Sequence, residues 1–199
     1  LLDCKVCQLV KLFKNGQPFK MSKRAGEFIS AQDLLNEVEK DPIRFMMLNR
    51  SNDVELDFDF DKVKEKNKDN PVFYVQYAYA RINSILRSLK IKFTNKVELN
   101  DKDFKLNEIE QKILRKIFEW PKIIESASNK FDLHKIPVYL YDLATLFHSY
   151  WSKGNEDEKY KFIRDEKIKR NEIFAIMNLT AIVLQNGMGI LGVSLPDKM

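Results

Sequence analysis

Asn70-Pro71-Val72-Phe73-Tyr74-Val75-Gln76-Tyr77-Ala78-Tyr79-Ala80-Arg81-Ile82 marks the point where this chain turns from mixed structure to helix. Asn70 is a favoured cap. Pro71 is a favoured first helical residue, because its missing N–H would be unpaired there in any case. Val75, Ala78, Ile82, Ile85, Leu86 and Leu89 recur at helical spacing and form one apolar stripe. The spacing predicts an amphipathic helix from Asn70 to about Leu89.

Downstream the pattern stays helical. The polar stretch Lys90–Asp103 reads as a loop. Helices are expected at about 106–119 and 121–129, the second opened by Pro121. Asp132–Pro137 leads into a long helix to about Lys153, and Gly154-Asn155-Glu156-Asp157-Glu158 reads as a loop or turn. A last helix is expected from about 165 to 186, with Gly187 as its C′ residue. Its stripe is Ile173, Ile176, Met177, Thr180, Val183 and Leu184. There is no internal repeat and no low-complexity tract.

Upstream of residue 70 the types are mixed. An apolar run, Val6–Phe13, precedes Asn15-Gly16, the pair that a two-residue type I′ turn prefers, so a hairpin is expected over about 5–20. Ser30 with Asp33 is a variant capping box opening a short helix over about 31–38. Asp41-Pro42 opens another over about 42–49, with Asp41 as its cap. Asp53-Val54-Glu55-Leu56-Asp57-Phe58-Asp59-Phe60-Asp61 alternates acid and apolar without exception, so an extended segment would carry all five acids on one side. Such a row could hold a divalent metal through hard oxygen ligands. The spacing and the glycine of a calcium loop are absent, so a solvated outer face is the favoured reading and no metal site is expected.

The chain has 199 residues, 44% of them hydrophobic, enough for one or two domains with sizeable cores. The net charge of +5 permits a polyanion partner without demanding one. Its distribution says more, because the stretch from Cys4 to Gly26 holds six cations and no carboxylate. Cys4 and Cys7 form a C-x-x-C, but two cysteines make no closed zinc site, and they read as ordinary reduced thiols. The start has no charged, apolar leader, and no apolar run approaches the roughly 18–20 residues that span a bilayer. A cytoplasmic protein with no membrane partner is expected. A start at Leu1 without methionine, directly before a strand, suggests a piece of something longer.

Lys20-Met21-Ser22-Lys23-Arg24 packs three cations and a hydroxyl between the hairpin and the first helix, a way to grip phosphate. The pentapeptide resembles the KMSKS signature of class I aminoacyl-tRNA synthetases, with Arg24 where that family often has serine. Two longer stretches are more specific: Asn70–Ile82 and the ending Gln185-Asn186-Gly187-Met188-Gly189-Ile190-Leu191-Gly192-Val193-Ser194-Leu195-Pro196-Asp197-Lys198-Met199. Both are similar to the C-terminal part of bacterial-type arginyl-tRNA synthetases, and the resemblance covers essentially the whole chain.

The resemblance implies a mainly α fold. Residues 71–199 would be an all-helical anticodon-binding bundle. Residues 1–70 would be a small α/β remnant, a β-hairpin plus short helices, from the end of a nucleotide-binding catalytic domain. It implies ATP and Mg2+ as cofactors, L-arginine and tRNA(Arg) as substrates, and a monomer. Lys20 and Lys23 would stabilise charge on the ATP phosphates as arginine attacks the α-phosphorus, and Met21, Ser22 and Arg24 would complete the loop. The class I companion motif H-I-G-H is absent from this sequence, so the chain alone is expected to be inactive.

Anticodon loops are read by stacking on aromatic faces and by hydrogen bonds to splayed bases. Tyr74, Tyr77 and Arg81 lie at i, i+3 and i+7, off the apolar stripe, and are the first candidates; packing in the core or against the catalytic part is the competing reading. Tyr150 and Trp151 stand where the family carries an aromatic pair facing the anticodon arm, with Trp151 in place of the usual tyrosine. The competing reading is a helix end plugged by aromatics. Met199 ends a tail that in the family folds back onto the same surface. His148 reads as a structural or solvent-facing residue. Two alternatives remain: another class I synthetase, such as the cysteine enzyme, or a non-catalytic helical RNA-binding module.

Overall fold

The computed structural model describes residues 2, 4–19, 29–94 and 105–199. Strands β1 (Val10–Lys14) and β2 (Gln17–Pro18) pair antiparallel. Asn15 (φ 53°) and Gly16 (φ 68°) both take the left-handed conformation that a type I′ turn requires. Strand β3 (Leu56–Asp59) then adds parallel to β1, giving the order β2-β1-β3.

The alternation in β3 sorts as its period demands. Leu56, Phe58 and Phe60 are buried with Val38 and Val63 in a small cluster. The acids are used locally. Glu55 pairs with Lys11 across the strands at 2.5 Å, and Asp61 accepts the Asn15 N–H at 2.6 Å. Asp59 accepts the N–H of Asp61 at 3.0 Å. Among the described residues no acid, histidine or cysteine cluster could hold a metal ion.

Helix α1 (Ala31–Glu37) opens on the Ser30/Asp33 capping box, with both reciprocal bonds made. Helix α2 (Lys40–Leu48) has Glu39 at its N-cap position, with no side-chain capping bond, so Asp41 is not the cap that the sequence suggested. Its carboxylate is engaged elsewhere, accepting the N–H of Ser194 at 3.1 Å together with the Ser194 hydroxyl. Arg44, one turn on, donates through Nε to the Leu191 carbonyl at 2.7 Å. Phe45 is fully buried in the larger core. Helix α2 therefore carries the chain's early part onto its far end.

Four long helices build that larger core: α3 (Pro71–Ser88), α4 (Glu108–Lys130), α5 (Lys135–Glu156) and α6 (Asn171–Leu191). Asn70 precedes α3, but its side chain does not cap the helix. Its amide instead donates to the carbonyls of Val63 (2.9 Å) and Glu65 (2.7 Å), closing the loop that leads in.

Four boundaries differ from the sequence reading. Helix α4 runs unbroken through Pro121. Its buried stripe of Ile113, Ile117, Trp120 and Ala127 extends across the proline, while Pro121 itself faces solvent. Packing of that stripe outweighs the one backbone bond that the proline removes. Gly154 belongs to the last turn of α5, where Tyr160 folds back against it. Helix α6 begins only at Asn171, after a small hairpin of β4 (Ile163–Arg164) and β5 (Lys167–Ile168). It ends at Gly192, whose φ of 65° is the left-handed cap. Gly187 lies inside the helix, where a Cβ would come within 2.6 Å of Leu140, so its role is close approach of α5 and α6 and not termination.

By length and composition alone, α6 is long and apolar enough to cross a membrane, which corrects the sequence reading. Here most of it is buried as the core helix of the bundle.

An ionic cluster sits at the edge of this core. Glu110 is fully buried and accepts from the Tyr150 hydroxyl and from Arg170 Nη2. Its second oxygen accepts the Asn107 N–H at 2.8 Å, completing the capping box of α4. Burial, and then the Glu110 carboxylate, push the Tyr150 phenol well above its ordinary value. Removing one partner of a buried pair strands the other, at a cost of about 3–5 kcal/mol. Glu110→Ala should lower the unfolding free energy by that amount, read as a lower urea midpoint with an unchanged m value. Tyr150→Phe leaves Arg170 on the carboxylate and should cost about 1 kcal/mol.

Candidate nucleic-acid interface

An open groove of about 680 Å³ lies between α3, the end of α5, the β4–β5 hairpin and the C-terminal tail. Tyr77, Arg81, Trp151, Ile163, Lys198 and Met199 line it. The sequence places these residues up to 122 positions apart, from Tyr77 to Met199. Three structural features bring them together.

The first is the exposed edge of α3. Tyr77 and Arg81 are one turn apart, and the guanidinium carbon of Arg81 sits 4.4 Å from the Tyr77 ring centroid. Phe73 stacks with Tyr77 at 5.9 Å. Trp151 faces Arg81 from α5 at 5.5 Å. The arginine is thus bracketed by two aromatic faces, an arrangement favoured by cation–π attraction.

The second is His148, which sits directly behind Arg81. Its Nδ1 is 2.9 Å from Arg81 Nη1. A guanidinium can only donate, so Nδ1 accepts and the ring proton is on Nε2. Nε2 donates to the Tyr74 carbonyl at 3.1 Å. The imidazole packs against Tyr74 (4.4 Å) and Tyr77 (5.6 Å). Burial depresses its pKa from 6.5 to about 4; the Tyr74 carbonyl opposes this and the Arg81 charge adds to it. His148 is a buried, neutral residue, the structural member of the two roles the sequence left open.

The third is the tail. Beyond Gly192, Val193 enters the core and Ser194 is held by Asp41. Gln76 donates to the Ser194 carbonyl at 3.0 Å. Arg87 donates twice to the Asp197 carbonyl, at 3.1 and 3.2 Å, and Asn83 reaches the Asp197 carboxylate at 3.4 Å. The tail therefore runs along α3 and delivers Met199 to the groove.

Four of the six RNA candidates, Tyr77, Arg81, Trp151 and Met199, share this groove. Tyr150 does not: it is fully buried, its ring 4.5 Å from Phe162. One residue along a helix turns a side chain by about 100°, so Tyr150 faces inward where Trp151 faces the groove. Tyr74 lies behind the groove, against Tyr141 at 5.3 Å and His148. The loop Lys20-Met21-Ser22-Lys23-Arg24 lies outside the described residues. Cys4 and Cys7 are exposed free thiols. His148, Asp41, Asn83 and Arg87 were not legible as site residues, because each acts on a group far away in sequence.

The groove is thus aromatic and cationic, carried on a helical bundle and closed on one side by residues 194–199. Residues 75–199 match the family described as the DALR anticodon binding domain, and the chain belongs to that family. It is 54% identical over its whole length to an arginine–tRNA ligase of Pelagibacter ubique and 46% identical to one of Ruegeria pomeroyi. It spans about a third of the length of these curated relatives, 34% and 35%. Among solved structures, a Campylobacter jejuni protein described as an arginyl-tRNA synthetase superposes with a TM-score of 0.82 at 27% identity, over 97% of this chain and 40% of that one. The Thermus thermophilus arginyl-tRNA synthetase shares the fold, with a TM-score of 0.70 at 20% identity, over 97% of this chain and 35% of its own.

The depressed His148 pKa ties stability to pH. The unfolded chain takes up a proton near pH 6.5 and the folded one only near 4. Stability from this group is therefore complete above about pH 7 and falls as the pH drops from 6.5 towards 4, by up to roughly 3 kcal/mol. Denaturation at stepped pH should show this slope in the wild type. In His148→Phe, which has no proton to gain, the difference should vanish, leaving only the shared carboxylate contribution.

Proposed function

We propose that this chain is the C-terminal part of an arginyl-tRNA synthetase, and that its groove receives the anticodon loop of tRNA(Arg). The observation that carries the reading is the convergence of Tyr77, Arg81, Trp151 and Met199 on one open groove of an anticodon-binding-family bundle. The 54% identity over the full chain to an arginine–tRNA ligase supports the choice of amino acid. Trp151 offers a π-face to an unstacked base, and Tyr77, whose ring already carries the Arg81 guanidinium and Phe73, supports the arginine from behind. Arg81 offers N–H donors to base edges or phosphate, and Met199 an adaptable apolar wall.

The whole enzyme would activate L-arginine with ATP and Mg2+ and esterify it to its tRNA, as a cytoplasmic monomer. Lys20 and Lys23, with Met21, Ser22 and Arg24, would serve the ATP phosphates. Lys23→Ala in the intact enzyme should lower kcat and kcat/KM for adenylate formation together, by orders of magnitude, with arginine binding nearly unchanged. Normal kcat in that variant would remove the assignment.

The groove itself is tested at Trp151. A base–aromatic stack contributes roughly 1–3 kcal/mol, so Trp151→Ala should weaken tRNA(Arg) binding by about one to two powers of ten. Trp151→Tyr should restore most of it. In a Trp120→Phe background, cognate tRNA should quench the remaining tryptophan fluorescence. Unchanged affinity of Trp151→Ala would place the RNA surface elsewhere.

A further inference from the structure

Arg81 carries a long, flexible stem, and holding it in one orientation costs rotamer entropy. The structure supplies that orientation before any ligand arrives. Tyr77 supports the guanidinium from one face, and His148 Nδ1 takes one of its five donors at 2.9 Å. The imidazole is itself fixed. Its Nε2–H is anchored on the Tyr74 carbonyl, and its ring is packed against Tyr74 and Tyr77. Tyr74, Tyr77 and Arg81 all belong to α3, so one helix sets the ring and the ring sets the arginine.

A phenyl ring would pack here as well as an imidazole. What histidine adds is an acceptor. The kind of acceptor matters, because a carboxylate would pair with the guanidinium, cancel its charge and occupy its fork. A neutral nitrogen orients the cation and leaves its charge and its other donors free. Among the described residues the groups against His148 are Arg81, Tyr74, Tyr77 and Phe147, and no carboxylate is one of them.

We propose that His148 is a positioning residue for RNA recognition: its Nδ1 acceptor holds the Arg81 guanidinium over Tyr77 with the remaining donors turned into the groove. The inference rests on the reading of that groove as the tRNA site. It names a residue that touches no RNA itself but lowers the ordering cost of the one cation bracketed by Tyr77 and Trp151.

The test is a set of affinities of the intact protein for tRNA(Arg), with melting temperatures measured alongside. Arg81→Ala should weaken binding by about thirtyfold. His148→Phe, which keeps the packing and loses the acceptor, should weaken it by about three- to tenfold. His148→Asn, whose Oδ1 can stand in for Nδ1, should stay within about threefold of wild type even where it melts at a lower temperature than the phenyl variant. In the Arg81→Ala background, His148→Phe should cause no further loss, the signature of two residues acting as one unit. His148→Asp, which neutralises the guanidinium, should bind at least as weakly as His148→Phe.

Wild-type affinity in His148→Phe beside a weak Arg81→Ala would overturn the proposal and leave the groove reading intact. So would an additive loss in the double variant, which would mean that His148 acts through packing alone. Wild-type affinity in both Arg81→Ala and Trp151→Ala would instead remove the groove reading. If the phenyl variant unfolds, the Asn and Asp pair decides: affinities equal within error overturn the proposal, and a weaker affinity of the Asp variant supports it.

Discussion

The inward face of α5 is the constraint on which the rest of the structure depends. Tyr139, Leu140, Leu143, Ala144, Phe147 and Tyr150 are all buried, and α3, α4 and α6 each pack against this helix. Small residues set the distances. Gly187 lets α6 come down onto Leu140, and any side chain there would push the two helices apart. The polar ends of the buried tyrosines are satisfied from α4. Tyr139 donates to the Lys116 carbonyl at 2.5 Å, and Tyr150 donates to Glu110. Helix α5 is thus fixed in rotation as well as in position. That rotation decides that Trp151 faces the groove and Tyr150 does not.

The groove owes its fourth wall to the C-terminal tail, a segment that would ordinarily fray. It is held by polar contacts from two different helices. Asp41 and Arg44 on α2 secure Ser194 and the end of α6, while Gln76, Asn83 and Arg87 on α3 secure Ser194 and Asp197. The tail, α2 and α3 form one connected unit. The small cluster under the β1–β3 sheet joins it through α2, whose Phe45 is buried in the bundle while Ile43, Met46 and Met47 pack on the small cluster.

Electrostatics inside the bundle divides into two kinds of arginine site. Arg170 meets a fully buried carboxylate, Glu110, and its charge is consumed in holding the start of α6 to the start of α4. Arg81 meets a neutral imidazole and two aromatic faces, and its charge is conserved. The same residue type is structural in one place and available for a polyanion in the other, according to whether its partner carries charge.

Local rules accounted for much of this fold. The Asn15-Gly16 turn, the Ser30/Asp33 capping box, the alternation of β3 and the stripes of α3 and α6 each follow from the chemistry of neighbours within a few positions, so the sequence alone determined them. Helical spacing off the apolar stripe pointed to Tyr77 and Arg81, and the resemblance to arginyl-tRNA synthetases pointed to Trp151 and Met199. What only tertiary structure decided were the places where a distant group outcompetes the local preference. Asp41 serves Ser194 and not its own helix; Asn70 closes a loop instead of capping. Pro121 is carried inside a helix by its buried stripe, and Gly187 is a contact with Leu140 and not an end. Tyr150 and Trp151 are adjacent in sequence and opposite in role, because the rotation of α5 is set by three other helices. The Arg81–His148 pair joins residues 67 positions apart, and no local pattern could reveal a bond that exists only once α3 and α5 are packed together.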